Sequence, residues 1–416
     1  MFEFGRDLRR LFEKARDSYD LGWLELVTVG LVETEARHQS TDAGRVSCPQ
    51  PFEAWMRAAA LWREHGRRTG TTDSLHRAEQ AGRDAAQAAQ NDDQAMRAAL
   101  DVGHTSLLVY DLYGSPRRLT GLISSLERLP TARRAENAAE VVALKARLQA
   151  RQARLSSDPQ KMAEAAHDLT QAMTKLPAEN SPSNEELQLD RAALSLEAGL
   201  LSRNARLLDQ AGRDLRKLVE GALPEERPVS RARALALCGT GMAALAAIAG
   251  DNTARSQAHV LFDAAADQFT PDHSPLDWAS IQLLRAERGP HDEMALSEAC
   301  AITNKPGLIL GAMLRERRYA YMVAQAEKFG DVASLNAMRQ DVMHMLTRPM
   351  DEARAIDWAS NQITMARIAL ALNQGHPEQN RDMGMALYEA ADAANIVGAP
   401  SLAQRARDLM VFTRTT

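Results

Sequence analysis

The chain has 416 residues, 45% hydrophobic and only 5% aromatic, with a formal net charge of −5. So mild a charge names no partner by electrostatics, and without a broad basic footprint no nucleic-acid binding is expected. Ala, Leu, Arg, Gln, Glu and Met dominate, all strong helix formers, and few stretches combine β-branched residues with period-two alternation, so strands have little support.

The chain opens Met-Phe-Glu-Phe-Gly-Arg-Asp, without a basic n-region ahead of an apolar h-region, and no signal peptide is expected. From Asp7 to Tyr19, the residues Leu8, Leu11, Phe12, Ala15 and Tyr19 fall on one face of a helix. The next segment, Leu21 to Val32, is more uniformly apolar, but it contains Glu25 and is too short to span a bilayer. Residues 1–36 are thus expected to form a helical cap on the first repeat or an arm that docks elsewhere. Arg37 to Pro51 is polar, with Ser, Thr, Gly and Pro, and reads as a loop, so 37–50 is expected to be a linker.

From Pro51 onward, helical segments alternate with short turns at Gly66–Thr72, Asn91-Asp92, Gly114-Ser115-Pro116, Ser156–Pro159, Gly250-Asp251, Gly289-Pro290, Gly330-Asp331 and Gly375-His376-Pro377. Gly just past a helix and Pro or Asp opening the next are the stop and start signals. The turns recur roughly every forty to forty-six residues, a spacing typical of helix-pair repeats. Longer breaks at Lys175–Glu185 and Leu223–Val229 separate consecutive pairs. The expected architecture is an all-α solenoid of about eight helix hairpins, irregular over 51–225 and more regular over 226–416, with a capping helix from Ser401 to Phe412. Internal similarity supports it: Leu276-Asp277-Trp278-Ala279-Ser280-Ile281-Gln282 returns as Ile356-Asp357-Trp358-Ala359-Ser360-Asn361-Gln362, with Gly250-Asp251 and Gly330-Asp331 in the same register.

These residues resemble the tetratricopeptide repeat (TPR) family, whose second helix carries a small residue, an aromatic four later and Ala three after that. Ala258, Phe262 and Ala265 fit, with Pro271 near the family's terminal proline, and so do Gly384, Tyr388 and Ala391. Met365-Ala366 fits the large-then-small pair of the first helix, behind an Asp-Trp-Ala-x-x-Gln start. Packing explains the pattern: small residues let helices approach and an aromatic fills the gap between hairpins. The match is best over roughly 230–395. The resemblance implies a right-handed superhelix with a concave peptide-binding groove and no catalytic residues.

Other chemistry finds little support. Ala234 to Ala244 contains a Gly239-x-Gly241 turn of the dinucleotide-binding type, but no βαβ unit surrounds it, and one small-residue helix from about Ser230 to Ala249 accounts for it. Asp272-His273 and His291-Asp292-Glu293 offer metal-ligand types, yet a helix between them holds them roughly 27 Å apart. Met338, Met343, His344, Met345 and Met350 could hold copper(I), but they fan around the helix and suit interface filling. Asn91-Asp92-Asp93 reads as a helix start. No metal, cofactor or catalytic residue is expected. Cys48, Cys238 and Cys300, an odd set without CxxC spacing, argue for a reducing compartment, hence the cytoplasm.

The expected function is a non-enzymatic scaffold or adaptor that takes another protein or peptide, its bound segment acidic, into the groove. Arg315, Arg318 and Tyr319 form the richest candidate surface, with Gln282, Gln362 and Arg367 beside them on first helices. A second basic patch comprises Lys145, Arg147, Arg151 and Arg154, opposite the apolar face of their helix and therefore expected on the outside. The alternative function is a regulatory subunit whose superhelix senses a ligand or peptide and changes curvature.

Overall fold

A computed structural model describes residues 22–129, 132–176, 182–222, 227–288, 292–347, 354–373 and 377–414. Among them the regular structure is entirely helical. A single 3-10 turn, Gly22–Leu26, leads into α1, Val29–Ala43. Eight hairpins follow. The first four pair α2 (Pro51–Thr69) with α3 (Thr72–Ala88), α4 (Asp92–Tyr113) with α5 (Pro116–Glu127), α6 (Ala135–Ser156) with α7 (Pro159–Met173), and α8 (Pro182–Ser202) with α9 (Ala205–Gly221). The last four pair α10 (Pro228–Ala249) with α11 (Asn252–Ala266), α12 (Pro275–Arg288) with α13 (Glu293–Ile302), α14 (Ile309–Phe329) with α15 (Val332–Leu346), and α16 (Ala355–Asn373) with α17 (Pro377–Ile396). A final helix, α18 (Pro400–Arg414), covers the end. Each helix packs on its hairpin mate and on the next hairpin, which makes the chain an α-solenoid.

The local signals act as their chemistry requires. Asn91, Asp158, Asn204, Asp251, Asp292 and Asp331 each accept a hydrogen bond from a first-turn amide and so cap a helix start. Gly70, Gly250 and Gly330 end helices in the left-handed region, at φ 65°, 70° and 67°. Between hairpins the packing is alanine on leucine: Ala139, Ala143, Ala146, Ala150 and Ala153 of α6 bury against Met162, Leu169, Leu187 and Leu194. The Gly239/Gly241 segment lies inside α10, as one continuous helix. A Cβ on Gly239 would sit 2.6 Å from the Phe262 ring, so this glycine lets two helices touch. By length and composition α10 could also cross a membrane. Here it runs through the middle of the solenoid, against α8, α9, α11 and α12.

The solenoid curls until it meets itself. α12 packs on α2, and α14 passes over α4. Gly114, at the end of α4, meets the α17–α18 turn so closely that a Cβ there would lie 2.2 Å from the Val397 carbonyl oxygen.

Several expectations need correction. Arg37 to Ala43 belongs to α1, not to a linker: Arg37 pairs with Glu33, Gln39 bonds Glu35, and Gln39 and Ala43 are buried. The TPR-like triplet Ala258, Phe262 and Ala265 is fully buried, but at the second copy Tyr388 is 69% exposed. The packing stripe of α17 is Leu387, Ala390, Ala391 and Ala394, which keeps the expected Ala391 but has Leu387 in the core in place of Tyr388. Asp277 and Asp357 lie within the first turns of α12 and α16 and are spent on arginines rather than on capping. The expected Asp7–Tyr19 helix, Gly289-Pro290, His291 and Met350 lie outside the described residues.

Candidate functional site

Six first helices, α2, α4, α6, α8, α10 and α12, stand side by side and surround a chamber of about 1040 Å³. This arises because each hairpin turns its first helix inward and the curl brings α12 back to α2. Leu100, Leu107, Leu189, Leu237, Ile281 and Leu284 supply an apolar part of the wall. Met56, Leu108, Ala193, Ala236 and Phe269 extend it, and the charged part includes Arg63, Arg67, Arg97, Arg147, Arg151 and Arg233.

These arginines form part of a closed ring of ion pairs. Arg63 of α2 pairs with Asp101 of α4. Arg151 of α6 pairs with Asp111 of α4 at 2.8 Å, and Arg147 of α6 with Asp190 of α8 at 2.8 Å. Arg227, just before α10, pairs with Glu185 of α8 at 2.5 Å. Asp277 of α12 completes the circuit, receiving Arg233 of α10 at 3.3 Å and Arg67 of α2 at 2.8 Å. Every neighbouring pair of first helices is thus joined at least once, and α2–α4 and α6–α8 more than once. A desolvated pair adds little net stability over a well-packed apolar contact, but it penalises any register that leaves one partner alone.

The electrostatics follow from this burial. Burial alone would raise the Glu64 carboxyl, yet Arg67 and Arg68 hold it at about 2. Asp190 is likewise held at about 2 by Arg151 and Arg147. Asp277 goes the other way, because desolvation outweighs its arginines. His104 lies within the wall, and burial, reinforced by Arg63 and Arg147, pushes it well below the usual imidazole value of 6.5, so it is neutral at pH 7. Its nearest carboxylate is Glu140, 4.0 Å away, whose pKa burial raises.

Charge is therefore unevenly matched. All six lining arginines are paired, Arg97 with Glu53 at 2.8 Å. Glu136 and Glu140 of α6 have no arginine within ion-pair distance among the described residues, although both line the chamber. No group of three or more metal-ligating side chains occurs among the described residues.

The expected site residues are distributed differently. None of Arg315, Arg318, Tyr319, Gln282, Gln362 and Arg367 lines the chamber. Arg315 pairs with Asp357. Arg367 donates to Glu316 at 2.8 Å, and Glu316, 1% exposed, also receives Arg405 from the final helix. Gln282 is buried, and Arg318, Tyr319 and Gln362 are half-buried. The Tyr319 hydroxyl is raised by burial. The second basic patch requires a correction: Arg147 and Arg151 face the chamber, not the outside, and Arg154 pairs with Glu197 of α8 at 2.7 Å. Only Lys145 is exposed. The helix has two packed faces, one against α7 and one turned inward, and the arginines occupy the second.

Asp101, His104, Glu140 and Asp190 were not singled out from the sequence. A signal for some of them exists. Arg63 and Asp101 are 38 residues apart, Arg147 and Asp190 43, Arg233 and Asp277 44, and Arg315 and Asp357 42. Each separation is about one hairpin length, the offset at which neighbouring first helices meet.

No family model matches the sequence, and no curated protein matches it. Among solved structures it is similar to one described as "Circular tandem repeat protein with novel repeat topology and enhanced subunit contact surfaces". The identity is 16% and the TM-score 0.22, covering 99% of this chain and 88% of that one. At that TM-score the likeness carries no weight, and the architecture rests on the helix order and contacts described above.

Proposed function

We propose that this protein is a non-catalytic helical-repeat receptor that holds a small ligand or short peptide in its central chamber. The supporting observation is the chamber itself, about 1040 Å³ and walled by the first helix of six successive hairpins. Small-molecule sites usually span about 300–1,000 Å³ and mix an apolar wall with a few polar groups. The charge pattern favours a ligand with a basic group and an apolar body. The arginines are neutralised from within, whereas Glu136 and Glu140 are not, and Leu189, Leu237 and Leu284 provide the apolar surface. TPR-like packing of Ala258, Phe262 and Ala265 fits a receptor of this kind, since closely packed hairpins transmit a change of curvature.

The adaptor reading keeps one observation of its own. Phe329, Val332, Met343, Met385, Tyr388 and Ile396 are exposed on the last two hairpins, where a partner protein could cover them.

Native mass spectrometry of the chain purified from its source cells tests the choice. A bound mass of a few hundred daltons is expected, lost in an Ala236→Trp variant that fills the chamber from α10. Retention of that mass in Ala236→Trp, together with its loss in Tyr388→Glu, would overturn the chamber reading in favour of the outer surface.

A further inference from the structure

The segment before α1 does more than cover the first hairpin. It crosses to the fifth and sixth hairpins at the place where the ring closes. The Glu25 carboxylate accepts hydrogen bonds from the amides of Val229 at 2.9 Å and Ser230 at 3.0 Å, from the Ser230 hydroxyl at 2.8 Å, and from Arg227 at 2.8 Å. It therefore caps the start of α10 from some two hundred residues away, using the charge that a helix N-terminus favours. His273, ahead of α12, donates from Nε2 to the Glu25 carbonyl oxygen at 2.8 Å. The Val29 amide donates to the Asp272 carbonyl at 3.1 Å. From α2, the fully buried Arg68 donates to the carbonyl oxygens of Leu24, of Val27 at 2.7 Å and of His273 at 3.2 Å, touching both sides of the closure.

We propose that Gly22–Val29 is a releasable clasp on the α2–α12 seam, whose release widens the way into a chamber that already meets solvent on one side. Seated, it pins α2 to α10 and α12; released, it lets α12 part from α2 and opens the lumen along that seam. This rests on the reading of the chamber as a binding site. Three features make the segment releasable while the hairpins stay folded. Its regular part is one 3-10 turn, whose hydrogen bonding is weaker than that of an α-helix. Its apolar anchors are few, chiefly Leu24 and Val27 on Leu61 and Trp62. Its remaining links are polar groups that water can replace, the character of a unit that opens locally. Without the clasp, the direct α2–α12 closure consists of Arg67 with Asp277, Arg68 with the His273 carbonyl and the Gly70 backbone against Leu276 and Leu308, while α14 on α4 and Gly114 on the α17–α18 turn still hold the later hairpins.

The test uses the full chain with Ala236→Cys as a reporter inside the chamber. Labelling by a bulky maleimide is followed at the reporter peptide by mass spectrometry, with and without Glu25→Ala. Release should speed labelling about tenfold or more, the effect of shifting a local opening equilibrium by one decade. Hydrogen exchange should rise over 24–32, 228–232 and 272–281 while α6 and α7 stay protected. Glu25→Gln, which keeps the shape but not the charge, should fall between, and it becomes the measured variant if Glu25→Ala does not fold. Faster exchange at Val229 and Ser230 with unchanged labelling would overturn the clasp and leave a helix cap. Uniform loss of protection in both variants would overturn it too, making the segment part of the core. Labelling is read without ligand, so a chamber that binds nothing leaves this result standing.

Discussion

Arg151 links the two first helices on either side of its own. Its Nη2 donates to Asp111 of α4 at 2.8 Å, and its Nη1 donates to Asp190 of α8 at 2.5 Å. One guanidinium thus spans three consecutive hairpins, a task that suits its planar fork and not a lysine ammonium.

Removing it should take the arginine from Asp111 and leave Asp190 with Arg147 alone. Arg151→Met is expected to cost about 3 kcal/mol, at the low end for breaking a buried pair because Asp111 is a third exposed. Arg151→Lys should recover only part of that. Urea unfolding midpoints measure both, and an Arg151→Met midpoint equal to the parent's would show that the ring carries no register. The double change Arg147→Glu with Arg151→Glu should prevent folding.

Two glycines differ in both backbone conformation and inter-turn contact: Gly250 is left-handed with ψ 21°, Gly114 has ψ 139°, a region open to little but glycine. Gly250 has φ 70° and open space around its missing Cβ, so Gly250→Ala should cost about 1–2 kcal/mol from the left-handed backbone alone. Gly114 has φ 67° and a Cβ there would meet the Val397 carbonyl. Gly114→Ala should therefore cost clearly more and loosen α17–α18. Equal thermal shifts in the two variants would mean that the turns do not press together.

Trp278 and Trp358 occupy the fourth position of α12 and α16, equivalent places in units two hairpins apart. Both rings are half-buried against apolar clusters. Each Trp→Ala change should cost about 2 kcal/mol, roughly half the penalty of a fully buried aromatic. Calorimetry on both variants checks it, and unchanged melting at both sites would place the repeat register elsewhere.

Acid should destabilise the protein in two stages. Burial holds the folded His104 pKa below 6.5, so the unfolded chain binds more protons as pH falls through 6.5 and stability drops there. Glu64 and Asp190, held at about 2, add stability that is full above their ordinary values of 4.5 and 3.8 and fades toward pH 2. His104→Gln should make the first stage shallower, the remainder coming from His65 and His273, which burial also lowers, and leave the second. Unfolding midpoints from pH 7.5 to 2 decide this, and a first stage as steep in His104→Gln as in the parent would assign it to other groups.

Much of the architecture was legible because it depends on local chemistry. The helix ends at Gly70, Gly250 and Gly330, the starts at Asn91, Asp251 and Asp331, the hairpin period and the equivalence of Trp278 with Trp358 follow from turn residues and side-chain spacing, which act within a few positions along the chain. What lay beyond reach was set by curvature. A small rotation between hairpins accumulates until α12 meets α2, and nothing within one hairpin reports where that sum closes. That closure turned an expected groove into a partly enclosed chamber and moved Arg147 and Arg151 from an outer stripe to an inner wall. It also left Arg315 and Arg367 in internal pairs and carried Glu25 to the start of α10. A helix's periodicity shows which residues share a face; only the neighbours assembled around it decide whether that face meets solvent, a second helix or a lumen.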